Sequence, residues 1–341
     1  MNPPAARAAR LLVVSAIFLT SCSTMEFGGS GAAHKVYLNP VLDRAFPDPA
    51  VLKAADGWIY AYGTQGESGG RVLNIQVARS RDLVRWEYLG DALPEKPRWA
   101  PSKQKFWAPH VIRDPGSGRS FMYYSTEPDQ STGKCLAVAT ADAPAGPFVD
   151  SGEPLRCGEG IENIDPMAFD DPKTGKRLLY WGSGWKPIKV QELAPDRLRF
   201  APGSTARDLL VPDSAREYSS LIEGAWVIYR DGAYYLFYSG DKCCGEEPKY
   251  AVMVARARDA FGPFEAYPRP ILMRNSQWRA PGHNSVVADD AGTDWIVYHA
   301  VREGQKRVML LDRIEYRDGW PRVAGDQPST EEQPAPAFAA R

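Results

Sequence analysis

"AFPDPAVLKAADGWIYAYGT", residues 45–64, sets an acid between two prolines, then an apolar stretch, a turn and an aromatic strand. Trp58, Ile59, Tyr60, Ala61 and Tyr62 have strand composition, and Asp56–Gly57 is a turn signal. Taken alone, Asp48 reads as a turn residue bonded to nearby backbone N–H groups. The same order returns four times, however. "PHVIRDPGSG" precedes "SFMYYST", "PMAFDDPKTG" precedes "RLLYWGS", "GAWVIYRDG" precedes "AYYLFYSG", and "NSVVADDAG" precedes "DWIVYHA". The openings fall at Asp48, Trp107, Asp165, Glu223 and His283, at intervals of 58–60 residues.

Three units add a third stretch: "IQVARSRDLVRWE", "LAVATADAPAGPF" and "VMVARARDAFGPF". Helical periodicity is nearly absent beyond residue 35. Five units at a fixed period, each with at least three short strands, predict an all-β, five-bladed β-propeller over residues 36–325. A sandwich or simple barrel does not explain the period. "VMLLDRIEYRDGWPRV", residues 308–323, supplies the outer strands of the last blade and is expected to help close the ring. The Pro-, Gln- and Glu-rich stretch 326–341 reads as a disordered tail.

The chain before the propeller reads as an export signal. Arg7 and Arg10 precede the short apolar run "LLVVSAIFLT", too short to span a bilayer as a mature helix. The run ends in "LTSC", similar to a bacterial lipobox, with Cys22 the residue to be lipidated. Residues 1–21 are then the signal peptide and 22–35 a Gly- and Ser-containing tether. A plain signal cut nearby, with Cys22 incidental, is the alternative. The expected location is the cell envelope of a bacterium, held by the lipid anchor alone. In that oxidising setting Cys135 is expected to pair with Cys157, and the adjacent Cys243 and Cys244 are able to form a vicinal disulfide.

Of 341 residues, 10 are Trp, 16 Tyr and 12 Phe, and the net charge is −1. No Lys/Arg stripe is present, which argues against a nucleic-acid partner. The aromatic count suits a core and also suits sugar-stacking platforms. In a propeller the innermost strands line one channel, so the five openings converge at one mouth. Three acids gathered there repel one another and cost desolvation energy, which a purely structural plan has little reason to build. Glu223 stands out: it interrupts "SSLIEGAWVIY" where a core strand would carry an apolar residue. Burial raises the pKa of such a carboxyl, as a general acid at neutral pH requires. Carboxylates around an aromatic-walled cavity point to glycoside hydrolysis, although spacing alone does not assign their roles.

The motifs "FPDPAV", "FWAPHV", "NIDPMAF", "IEGAWVIYRDGAYYLFYSG" and "PGHNSVV…WIVYHA" resemble glycoside hydrolase family 43 across residues 36–325. The resemblance implies an inverting enzyme with Asp48 as general base, Glu223 as general acid and Asp165 as pKa modulator. It also implies plant-type polysaccharides or oligosaccharides of arabinose and xylose as substrates. "PGHNS" resembles the motif of arabinan-cleaving members. There His283 helps hold a central hydrated cation, with calcium the candidate, although Asn284 stands where Gly is frequent. A buried His satisfied by backbone is the other reading. His299 reads as structural. Trp107 is a candidate sugar platform or an inter-blade packing residue, and Arg302 or Arg307 a candidate for sugar hydroxyls. The chain ends with the propeller, without the C-terminal sandwich frequent in β-xylosidases. Together with "GHNS", this favours α-L-arabinofuranoside cleavage by a monomer needing no cofactor for the chemistry. A β-xylosidase, a galactan hydrolase, a glycan phosphorylase, a fructan-active enzyme or a non-catalytic glycan-binding propeller are the alternatives. The "GDKCCGEEPKY" loop is placed to shape the cleft.

Overall fold

The computed structural model describes Met1, residues 36–302 and residues 306–339. The proposed signal, Cys22 and the tether lie outside the described residues of the fold. Five sheets follow one another along the chain and form a five-bladed β-propeller. The innermost strands, in chain order, are Ala50–Lys53, Trp107–Arg113, Met167–Asp170, Ile222–Arg230 and Arg279–Ala288. Each pairs antiparallel with the next strand outward, and each blade is built from a contiguous piece of chain. The only helical element among the described residues is a short 3-10 turn, Ala324–Asp326.

The aromatic strands are buried because both faces of a blade are covered. In Ile59–Gly63, Tyr60 and Tyr62 pack with Val111, Met122 and Tyr124 of the second blade. Ile59 and Ala61 point the other way and pack with Val297, Met309 and Leu311 of the fifth blade. Alternation by two thus serves two cores at once, which is why these strands read as continuous apolar runs. Each fully buried Tyr, such as Tyr62 or Tyr123, removes enough apolar surface to contribute about 1.5–3 kcal/mol.

Ring closure does not exchange a whole strand between the chain ends. Instead, residues 36–46 run along the strand Arg307–Arg317 of the last blade. The outer edge of that strand is covered by Trp320–Val323 over residues 314–317 only. Farther back, the Val41 and Leu42 N–H groups donate to the Met309 carbonyl, and the Phe46 N–H donates to the Arg307 carbonyl. The Leu311 N–H donates to the Asn39 side chain.

The sequence reading of 326–341 as disordered is overturned for residues 326–339. Gln333–Pro334 pairs with Val36–Tyr37, and Ala335 and Phe338 pack on the core between the last and first blades. The Ala337 N–H donates to Asp289, and the Ala337 carbonyl accepts from the Asp290 N–H. A polar composition hides these few anchors, which draw their energy from surfaces built elsewhere in the chain.

Candidate active site

The five openings meet at one mouth of the ring, with a correction of register. Left-handed φ values occur at Asp48 (59°), Ala108 (43°), Asp165 (60°), Gly224 (65°) and His283 (46°). These are the backbone equivalents; Trp107 and Glu223 each stand one residue before theirs. Non-glycine residues in this conformation are uncommon, and such strain concentrates at functional sites. At Gly224 a side chain would also press on the His283 ring, 3.3 Å from Nδ1. The ladder shifts register just past Trp107, just past Glu223 and around Gly282. Such bulges re-aim side chains at the rim of a sheet.

Four of these left-handed residues are tied to side chains across the ring. The Asp48 N–H donates to His299 Nδ1 at 3.1 Å, and the Ala108 N–H to Thr64 Oγ1 at 2.7 Å. The Gly224 N–H donates to Asp165 Oδ2 at 3.0 Å, and the His283 N–H to Ser239 Oγ at 2.8 Å. The backbone that aims the acids is therefore clamped from blade to blade.

Asp48 is 8 % exposed and surrounded by donors and cationic groups. Arg307 Nη1 lies 3.2 Å from Oδ1, Thr64 Oγ1 donates to Oδ2 at 2.5 Å, and His283 Nδ1 is 3.5 Å from Oδ1. Burial pushes its carboxyl up, but the Arg307 charge and then His283 outweigh it and hold Asp48 well below the usual range. His299 is brought down to about 4 by burial and stays neutral, consistent with its Nδ1 acting as acceptor. Asp48 is thus an ionised base with a fixed orientation.

Glu223 and Asp165 are treated in the opposite way. Ser183 Oγ donates to Glu223 Oε2 at 2.5 Å and Tyr250 OH to Oε1 at 2.8 Å, so its partners are neutral hydroxyls. Burial raises the Glu223 pKa against those two bonds, and the Asp48 charge adds to the rise. Asp165 is raised well above the usual range by burial, then by the charges of Glu223 and Asp48. Carboxyls pushed up together hold protons as a pair at pH values where Asp48 has none.

Trp107 is half-buried at the start of its strand. One face of its ring is occupied by the Lys134 ammonium, 3.7 Å from the ring centroid, which also donates to the Lys105 carbonyl. His283 lies between the acids, 3.9 Å from Asp165 Oδ2 as well as beside Asp48. Among the described residues no group of three or more His, Cys, Asp or Glu side chains is arranged to hold a metal. His283 spends its Nδ1 on the two carboxylates. These side chains do not form a direct calcium shell. Arg302 is drawn to the rim, where Nη1 pairs with Asp43 at 2.6 Å; Arg307, not Arg302, reaches the acids.

Cys135 and Cys157 are joined, as are Cys243 and Cys244. The first bridge ties the strand that follows Lys134 to the segment leading to Asp165. Cys243 packs on Tyr250, Ala280 and Val301, so the vicinal pair sits over the Tyr that contacts Glu223. Tyr250 in turn stacks on His299, with ring centroids 5.8 Å apart.

Thr64, Ser183, Ser239 and Tyr250 were not singled out in the sequence. A signal was present for three of them: each ends or nearly ends a second strand, just after an aromatic, in "AYGT", "YWGS" and "FYSG". His299 in "VYHA" belongs to the same set, and its structural role is to hold the Asp48 backbone N–H. The resulting arrangement has one ionised carboxylate and two proton-holding carboxyls around a common mouth. It is equipped to remove a proton from water and deliver another to a leaving oxygen.

A family model described as glycosyl hydrolases family 43 matches residues 37–321. A β-D-galactofuranosidase of Aspergillus niger is 31 % identical over 82 % of this chain and 82 % of its own. An extracellular exo-α-(1→5)-L-arabinofuranosidase of Cellvibrio japonicus is 26 % identical, over 81 % of this chain and 85 % of its own. An extracellular endo-α-(1→5)-L-arabinanase of Bacillus subtilis is also 26 % identical, over 91 % and 94 %. Among solved structures, a thermostable family-43 glycoside hydrolase superposes with a TM-score of 0.75 at 29 % identity, covering 89 % of this chain and all of the other.

Proposed function

The chain belongs to glycosyl hydrolases family 43, and from that premise we propose that it cleaves α-L-arabinofuranosidic linkages in arabinan or arabinoxylan with inversion. The observation that carries the reading is the opposite treatment of the acids. Asp48 is stripped of its proton by Arg307 and His283, while Glu223 keeps one through burial. In the reaction a water lies between Asp48 and the anomeric carbon. Asp48 takes the water's proton as its oxygen attacks, and Glu223 gives its proton to the departing glycosidic oxygen. Asp165 accepts from the Gly224 N–H and so orients the backbone next to Glu223. Its own carboxyl, pushed up by burial and by the neighbouring acids, shares in keeping protons on that side of the mouth. No cofactor is needed for these steps.

The arabinofuranosidase and arabinanase relatives, which span more than four-fifths of the chain, support the sugar. The galactofuranosidase supports a second reading, a hydrolase of β-D-galactofuranosides. Its sugar has the same five-membered ring configuration and differs by a longer exocyclic arm. The relatives described as extracellular also support export; Cys22 as the lipid anchor is a further part of the proposal and rests on the "LTSC" motif alone. Incorporation of a labelled lipid precursor that survives Cys22→Ala would remove that part.

The deciding experiment is a panel of arabinosides, galactofuranosides, xylosides and fructans, with NMR of the first-formed anomer. Release of arabinose as the inverted anomer, lost in Glu223→Ala, is expected. Release of xylose or galactofuranose instead changes the sugar. No release from any substrate leaves a glycan-binding propeller as the answer.

A further inference from the structure

Among the described residues, Trp185 is the only aromatic side chain in the set of large apolar side chains left exposed, at 59 %. Its surroundings hold it there. It lies on the short connection between the strands Arg177–Trp181 and Ile188–Glu192, on the side of the ring where the catalytic mouth opens. The Gly182 N–H donates to the Ile164 carbonyl, next to Asp165, and the Lys186 N–H closes a turn onto the Ser183 carbonyl. A side chain at Gly182 would stand 2.5 Å from the Pro187 carbonyl, so the close approach at the base of this loop requires glycine. Trp185 itself is in the left-handed region, with φ at 61°. A bulky residue in that conformation marks strain kept for a purpose. Two residues earlier, Ser183 donates to Glu223.

We propose that Trp185 is the stacking platform for the leaving-group sugar, on the solvent side of Glu223. The inference rests on the acid and base roles given above. An acid that protonates the glycosidic oxygen stands at the boundary between the sugar being released and the rest of the chain. The released sugar occupies the buried end, where Asp48, Asp165 and Glu223 are all under a tenth exposed. The remainder of the glycan must leave past the rim on the Glu223 side. Trp185 belongs to the loop nearest that side: Gly182, three residues before it, bonds next to Asp165, and Ser183, two residues before it, donates to Glu223. The apolar face of a pyranose or furanose ring covers an indole well, and burying both faces removes the cost of an exposed Trp. The ligand is therefore a glycan of at least two or three sugars, not a simple glycoside.

The test compares wild type, Trp185→Ala and Trp185→Phe on arabinotriose and on methyl α-L-arabinofuranoside. The Ala variant is expected to raise KM for arabinotriose by roughly tenfold with kcat little changed, because a platform outside the reacting bond acts mainly on binding. The methyl glycoside, with no sugar to stack, is expected to react at the wild-type rate, and Phe to recover most of the loss. Equal effects on both substrates, or none on the triose, overturn the platform. A second arm measures calorimetric binding of arabinotriose, xylotriose and a galactofuranose trisaccharide to Glu223→Gln with and without Trp185→Ala. If wild type turns over no arabinoside, the sugar assignment has failed. Trp185-dependent binding of any of the three glycans then still supports the platform, and binding that ignores Trp185, or is absent, overturns it.

Discussion

The two halves of the mouth use opposite chemistry on the same functional group. On one side Asp48 faces a guanidinium, two imidazoles and a threonine hydroxyl. On the other, Glu223 faces only hydroxyl donors, and Asp165 a backbone amide with His283 at the edge. All three acids are similarly buried, so burial alone does not separate them. The separation comes from where the cations were put. Arg307 touches Asp48, and no cationic partner sits within hydrogen-bond reach of Glu223 among the described residues. One fold period, repeated with different neighbours and a one-residue shift at Glu223, turns the openings of two blades into a base and an acid.

The most severe way to break this contrast is to remove either end of it. Asp48→Asn and Glu223→Gln should each lower kcat by about 10³-fold or more on natural glycans. They should part company on an arabinoside with a good leaving group such as 2,4-dinitrophenolate. Glu223→Gln is expected to regain much of its rate there, since little proton donation is needed, and Asp48→Asn is not. If both recover alike, the two roles are wrongly assigned.

A milder change moves one side toward the other. Arg307→Met removes the largest influence holding Asp48 down, so the Asp48 pKa should rise and the acid limb of the kcat/KM profile should move to higher pH. Activity near neutrality should fall by about tenfold, and an unmoved acid limb would exclude Asp48 as the group titrating there. On the acid side, Tyr250→Phe removes a bond that lowers the Glu223 pKa. That pKa should rise further and carry the alkaline limb upward, with a loss of about two- to fivefold at neutral pH.

The smallest effect is on stability, and its sign should differ between the halves. Raised carboxyls support the fold fully below their unfolded values and withdraw that support as pH climbs through the folded ones. Asp165→Asn should therefore raise Tm by a few degrees at pH 8 and do less at pH 5. The lowered Asp48 contributes above its unfolded value of 3.8 and loses that contribution as pH falls through its folded value. Asp48→Asn, which strands Arg307, should lower Tm at pH 8. Thermal melts of both variants at the two pH values check this pair.

The period of the repeat was legible because each blade restates the same order of apolar stretch, turn and aromatic strand. The acids were legible because they break that order, Glu223 most plainly. The local alignment was off by one at Trp107 and Glu223, since a bulge changes which residue takes the left-handed turn without changing the spacing. Tyr250, and the role of Arg307 at Asp48 rather than at a sugar hydroxyl, were hidden for a different reason. Each lies on a strand where its neighbours are ordinary, and its meaning depends on a partner 259 or 27 residues away. The bound tail escaped notice because its anchors are few: a backbone pair, Ala335 and Phe338.

The segment laid along the last blade has a consequence in time. Asn39 bonds to a strand 272 residues further on. The first part of the propeller to be synthesised therefore cannot settle until almost all the rest exists, and a chain halted before residue 307 has nothing to close upon. Contacts this distant in sequence slow folding, because the ends must meet before the closing bonds repay the search. The ring is completed by its oldest residues arriving last, so its assembly should follow completion of the chain rather than accompany it.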